Sequence, residues 1–284
     1  MNIGQKIKVV DTVLACVVLD IVLHVVTSSY STIPQNPNFS FLARILGIEI
    51  TAFLWAFIAF SVVAFVYWRI RNEIPGKGVK KGLRYGTAIA LLWIFAMLEG
   101  VPLFGNPLIN EFVVGLSDAI PVFVMSVLLS IVRTSKVEGD PSPAFNLRQK
   151  ITAVSVFSGI FLTGRYIAYL LGIIQSGNQT KPLPTLIWTI LMGLSIGVVF
   201  ILLENSKDKL FLKHRYIKFG VIIFGVNWAV FLLFMPLLFS GYITDAFLRI
   251  IIDVILVTIA SYLATIHNDK NKELSNTHDW EIKD

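Results

Sequence analysis

Eight stretches of about twenty residues, almost wholly apolar and joined by short polar connections, limit this chain's fold more than any other feature of it. Crossing ~30 Å of hydrocarbon takes roughly 20 helical residues at about 1.5 Å each, and every backbone N–H and C=O inside must find a partner within the protein. The two-residue alternation of a transmembrane barrel is absent. The segments 9–27, 44–68, 83–103, 112–133, 151–173, 185–203, 218–239 and 246–266 are therefore predicted to be membrane-spanning helices. An all-α integral membrane protein follows, with the lipid bilayer as its first partner. Only 15% of the residues are charged, against about 25% in soluble domains.

The basic residues of the connections divide by side. Of the 24 Lys and Arg, 20 fall on the side of the termini: Lys6 and Lys8, those between Arg69 and Arg84, between Arg133 and Lys150, and between Lys207 and Lys218, then Lys270, Lys272 and Lys283. Arg44 and Lys181 fall opposite, and Arg165 and Arg249 lie within spans. By the positive-inside rule both termini are cytoplasmic, giving a multi-pass protein of the cell membrane. The formal net charge of +6 then records cytoplasmic loops and implies no nucleic-acid partner. Lys6 and Lys8 ahead of an apolar run resemble a secretory signal. Asp11, Asp20 and His24 interrupt that run, and no small-x-small cleavage site precedes Tyr30, so the first helix is read as retained. Residues 268–284 are expected to form a polar cytoplasmic tail without fixed structure.

The chain carries an internal duplication. At an offset of 134, Thr51 meets Thr185, Ser61 meets Ser195, Gly86 meets Gly220, Pro102 meets Pro236, Leu103 meets Leu237 and Ile109 meets Ile243. Charge type agrees as well, since Arg84 falls on Lys218 and Glu111 on Asp245. Four spans per unit is an even number, so both copies enter the membrane in the same sense, related by an axis along the membrane normal. The expected organisation is a first four-helix repeat at 1–134, a cytoplasmic linker at 135–150, a second repeat at 151–267 and the tail. Such an arrangement offers a cleft between the units.

A charge in hydrocarbon costs at least about 2.5–3.5 kcal/mol, so intramembrane charges must face a cavity or a partner. Counted at about 1.5 Å per residue, His24, Glu49, Glu99, Asp118, Arg165, Arg249 and Asp253 fall within roughly 10 Å of the non-cytoplasmic surface, with Asp20 near the midplane. The inner half carries only mild polar groups, Ser61, Thr87, Ser155 and Ser195, with Glu204 at its edge, and reads as a packed plug. Asp20 with His24, and Arg249 with Asp253, stand at i, i+4 and share a helix face. The second pair reads as an intrahelical ion pair or as an Arg held for a substrate, the first as a proton-handling pair. The first half supplies acids and the second half bases, so Arg165 is expected to pair with Asp20 or Glu99 across the seam of the first and fifth helices. Asp20, His24, Glu99, Asp118, Arg165, Arg249 and Asp253 are the candidate ligand- or proton-binding residues, expected to converge on one outward-facing cavity. Pro102 and Pro236 should bend or end their helices. Gly86, Gly220 and the Gly193-x-x-x-Gly197 pair should let helices approach closely.

Several chemistries are excluded. The lone Cys16 and four histidines leave no iron–sulfur, Cys-rich zinc or dithiol chemistry. No phosphate-binding loop, dinucleotide fingerprint, His-Glu-x-x-His or Gly-x-Ser-x-Gly motif occurs, so no cofactor is assigned. Asp20 and His24 alone are two ligands, too few for a metal site. Asn38-Phe39-Ser40 and Asn178-Gln179-Thr180 are glycosylation sequons on the non-cytoplasmic side. The leading expectation is a small-molecule or proton-coupled transporter or permease-like protein whose site opens outward between the two units. An intramembrane enzyme acting on a lipid or isoprenoid through these carboxyls is the first alternative, and an accessory subunit with self-paired charges the second. The topology is directly testable. A reporter active only outside the cytoplasm, fused after Asp284, should give no signal, and Lys77→Cys and Lys213→Cys should stay unlabelled by an impermeant thiol reagent added from outside.

Overall fold

The structure, a computed structural model, describes residues 3–32, 37–132, 146–203 and 212–281. Arg133, Lys136, Glu204, Lys207, Lys209 and most of the 135–150 linker lie outside them. The helices are α1 (Ile3–Val26), a short α2 (Phe41–Leu46), α3 (Ile48–Ile70), α4 (Val79–Met97), α5 (Gly100–Phe104), α6 (Leu108–Val132), α7 (Leu147–Leu170) and α8 (Pro182–Leu203). They are followed by α9 (Leu212–Ile217), α10 (Val226–Leu232), α11 (Phe234–Leu238) and α12 (Ile243–Glu281). A π-helical stretch, Lys218–Gly225, joins α9 to α10. Eight of these runs are long and apolar enough to cross a membrane, α4 with α5 making the third and α9 to α11 the seventh. The chain is a multi-pass helical membrane protein.

The two bent spans break where proline chemistry requires. A proline ring clashes with the carbonyl four residues earlier and offers it no N–H. For Pro102 that carbonyl belongs to Leu98, and α4 ends at Met97; for Pro236 it belongs to Leu232, and α10 ends there. Pro121 lies inside α6 without ending it, which leaves the Ser117 carbonyl without its helical donor. At the opposite extreme, α12 contains neither Gly nor Pro after Ile243 and continues to Glu281, so the expectation of an unstructured tail is corrected to a helical extension.

Packing follows from apolar side chains and close backbone approach. α1 packs on α3 and α6, and α6 on α4; α7 packs on α8 and α12, and the π stretch on α12. Across these groups α4 meets α8, and α3 meets α10 and α11. Trp93, Trp228, Phe60, Phe157, Phe200, Phe219 and Phe224 are fully buried at the centre. Two tryptophans tie the middle together: Trp55 of α3 donates to the Val230 carbonyl at 2.8 Å, and Trp188 of α8 donates to the Phe95 carbonyl of α4 at 2.7 Å. α1 is the outlier, with Val18, Val22, Val25 and Val26 exposed along one side. Between α2 and α3 the chain turns at Gly47 with φ 84°, a left-handed conformation that side chains disfavour. Ser40, the N-cap of α2, accepts from the Ala43 N–H and donates to the Leu237 carbonyl at 2.6 Å, fastening this segment over α11.

The expected close approach at Gly193 and Gly197 is present. A Cβ at either glycine would lie 2.7 Å from a Cα of α7, that of Ser158 or of Val154. Replacing Gly197 with Leu should force α7 and α8 apart and cost about 1–3 kcal/mol, read as a lower midpoint of thermal unfolding in detergent. Gly159→Ala should not lower that midpoint, because nothing lies within 4 Å of its Cβ position and Ala favours a helix interior over Gly.

Candidate functional site

The seven candidate residues sort into two bonded groups. The larger is built around Arg165, whose side chain is wholly buried on α7. Its Nε and Nη2 donate to the two carboxylate oxygens of Asp253 on α12 at 2.6 and 2.5 Å, a bidentate pairing, and its Nη1 donates to Glu99 Oε1 at 2.9 Å and to the Tyr169 hydroxyl at 3.3 Å. The guanidinium also lies over the rings of Phe161 at 5.2 Å and Trp188 at 5.3 Å, where the ring quadrupoles offset part of its desolvation. Trp228 donates to Asp253 at 2.8 Å. Arg249, about one turn before Asp253 on α12, donates to Glu99, to Asp245 and to the Gln175 carbonyl.

Local sequence explains how these groups meet. Glu99 sits in the break that Pro102 forces between α4 and α5, so its side chain leaves the helix toward α7 and α12. Asp245 accepts from the Gln175 N–H at 2.7 Å and thereby fixes the connection after α7. No buried polar atom of Glu99, Arg165, Arg249 or Asp253 lacks a partner. Beside the network lies a narrow crevice of about 10 Å³, lined by Glu99, Pro102, Leu103, Tyr169, Thr185 and Trp188, with Ser176 and Gly177 at one edge; that is room for about one water. Its walls come from the third span on one side and the fifth and sixth on the other.

The smaller group joins α1 to α6. His24 Nε2 stands 3.0 Å from Asp118 Oδ1 and 3.9 Å from Asp20 Oδ1. Asp20 and Asp118 are 3% and 5% exposed, whereas the His24 side chain is 38% exposed. One turn further on, the hydroxyls of Thr27 and Ser117 are 3.0 Å apart and hold the same two helices together.

Several sequence expectations change here. Arg165 pairs with Glu99, one of its two expected partners, and with Asp253 rather than Asp20, because α1 packs on α6 and not on α7. Arg249 and Asp253 are not an intrahelical pair: Arg249 turns one turn back to Asp245 while Asp253 faces Arg165. The seven candidates fall into two sets, Glu99 with Arg165, Arg249 and Asp253, and Asp20 with His24 and Asp118. Glu49 is exposed in the first turn of α3. Residues not anticipated are Tyr169, Trp188, Trp228, Gln175 and Asp245. Two of these left a readable signal, Tyr169 at i+4 from Arg165 and Asp245 four residues before Arg249. Lys81, expected as a loop base, is 2% exposed and donates to the Arg71 carbonyl at 2.9 Å.

No protein family, characterised protein or solved structure matches this chain, so the geometry itself carries the functional argument.

Removing one partner from a buried charge pair costs about 3–5 kcal/mol, because the other charge is left uncompensated. Arg165→Gln should therefore sharply reduce the yield of monodisperse protein. Glu99→Gln should purify normally, since Arg165 keeps Asp253 and Arg249 keeps Asp245. Size-exclusion profiles of the two variants check both outcomes.

Proposed function

We propose that the protein is a proton-coupled transporter of a small molecule, loaded from the non-cytoplasmic face through the crevice between its two halves. The observation that carries this reading is the position of Glu99: its Oε1 is shared by guanidinia from two helices of the second half, and it lines the crevice. Two guanidinia face three carboxyl groups, those of Glu99, Asp245 and Asp253. With all five ionised the set carries one excess negative charge, and one proton balances it. Protonation of Glu99 replaces a charge-assisted contact with a weaker neutral one, which loosens the third span from α7 and α12. The guanidinium donors are then free to take a polar solute.

The same reading takes residues 1–134 and 151–267 as two like four-helix units related by an axis along the membrane normal, with both termini cytoplasmic. Reciprocal contacts support it. The Trp55 bond from α3 to the seventh span answers the Trp188 bond from α8 to the third. Lys218 pairs with Glu73 just past α3, and Arg84 donates to the Leu202 carbonyl near the end of α8. His24 bonds the fourth span from the first as Arg165 bonds the eighth from the fifth. The basic-residue split supports the orientation.

A second reading, an accessory subunit whose charges only brace one another, is favoured by the complete pairing of the network. Accessibility separates the two. With Cys16→Ala removing the native thiol, Ser176→Cys should be labelled by an impermeant reagent from outside, and Glu99→Gln should speed that labelling at least threefold. In liposomes holding a pH dye, an inside-negative potential should drive proton entry through the wild type and not through Glu99→Gln. No Glu99-dependent flux and an unchanged labelling rate would support the bracing role instead.

A further inference from the structure

The contact between α1 and α6 leaves one group unsatisfied. Asp20 Oδ1 is buried and has no hydrogen-bond partner, on a residue only 3% exposed. Such an atom is costly, because it has lost water and gained nothing in return. It is not isolated: one oxygen of Asp20, one of Asp118 and a ring nitrogen of His24 all lie within 4.8 Å of one another. An imidazole nitrogen has one proton to share, and at 3.0 Å His24 Nε2 is engaged with Asp118, while 3.9 Å to Asp20 is too long for a hydrogen bond. With both carboxyls ionised, the single Nε2 proton cannot satisfy all three groups together.

The geometry points to a divalent transition-metal site, of zinc or manganese type, with Asp20, His24 and Asp118 as its protein ligands. A four-coordinate ion with ligands at about 2.0–2.2 Å holds its donor atoms about 3.3–3.6 Å apart, and the separations here, 3.0 and 3.9 Å with none above 4.8 Å, bracket that value. Side-chain torsions alone close the difference. An imidazole among the ligands selects against calcium and magnesium, which take oxygen donors. Charge agrees: two carboxylates and a neutral imidazole sum to −2, and a divalent cation brings the site to neutrality, the state a bilayer tolerates best. The site is also reachable, since His24 is 38% exposed and lies two residues from the end of α1 at Val26. Three protein ligands leave a position for water or a substrate group, as in working rather than purely structural sites. These residues are separate from the crevice at Glu99, so the metal site and the transport reading stand or fall independently.

The test uses the full chain, purified in detergent, stripped with a chelator and carrying His214→Gln, His267→Gln and His278→Gln so that His24 is its only imidazole. Calorimetric titration with Zn²⁺ should show one ion per chain at micromolar or tighter affinity. Asp20→Asn, His24→Gln and Asp118→Asn should each weaken binding at least tenfold, and Glu49→Gln, an exposed carboxyl outside the triad, should not. Absence of saturable binding of both Zn²⁺ and Mn²⁺, or an affinity that survives all three triad substitutions, would overturn the assignment. Should a triad variant fail to fold, the unsubstituted triad decides: Zn²⁺ should slow modification of His24 by diethyl pyrocarbonate at least tenfold, and an unchanged rate would sink the proposal.

Discussion

The bidentate pairing of Arg165 with Asp253 sets the terms for the rest of the outer bundle. A guanidinium with no exposed surface, in a layer that offers no water, must have its donors met by the protein. Asp253 meets two of them, and that obliges α7 and α12 to lie side by side. Nη1 reaches the Tyr169 hydroxyl and Glu99, and Glu99 is available because Pro102 ends α4 where it does. Aromatic rings close the other directions: Phe161 and Trp188 take the faces of the guanidinium, and Trp228 donates to the same carboxylate. A single cation in the wrong solvent, met by a carboxylate that a proline break makes available, thus links five spans and part of the aromatic core.

The two polar groups differ in a way that matters for what each can do. Around Arg165 no buried polar atom is left without a partner, so change there requires an exchange, such as a proton or a competing solute taking the place of a bond. Around His24 the count does not close, because three acceptor-capable groups share one imidazole proton. The first arrangement suits a latch and the second a receptor. Their positions reinforce the contrast: the network bridges the halves at the centre, whereas the triad lies on the outermost helix, whose opposite side is a row of exposed valines.

Hydropathy made depth legible but not direction. The eight spans, their approximate ends and the layer of charges near one surface all follow from counting residues along apolar runs. The breaks before Pro102 and Pro236 follow from ring chemistry, and the approach at Gly193 and Gly197 from the missing side chains. Which charge faces which was legible only as a choice of Asp20 or Glu99 for Arg165, because the rotation of each helix about its axis depends on packing that no single span encodes. Arg249 and Asp253 share a face in sequence terms, yet one turns back to Asp245 and the other to Arg165. Asp118 joins the Asp20 and His24 pair only because α1 docks on α6. Lys81 misleads for a related reason, since a basic residue at a helix start looks like loop whether or not its amine finds a buried carbonyl.

The partners in both groups are far apart along the chain, His24 and Asp118 by 94 residues and Arg165 and Asp253 by 88. Translation at roughly 5–20 residues per second separates their emergence from the ribosome by about 5–20 seconds. During that interval the first span holds Asp20 and His24 without Asp118, whereas Arg165 emerges when Glu99 of the third span is already available; an unpaired charge in lipid carries a penalty of a few kcal/mol. Lateral release of the first helix into lipid is therefore favoured only after the fourth span arrives. A chain arrested between residues 24 and 118 would therefore leave α1 without the carboxylate that its histidine meets in the folded protein.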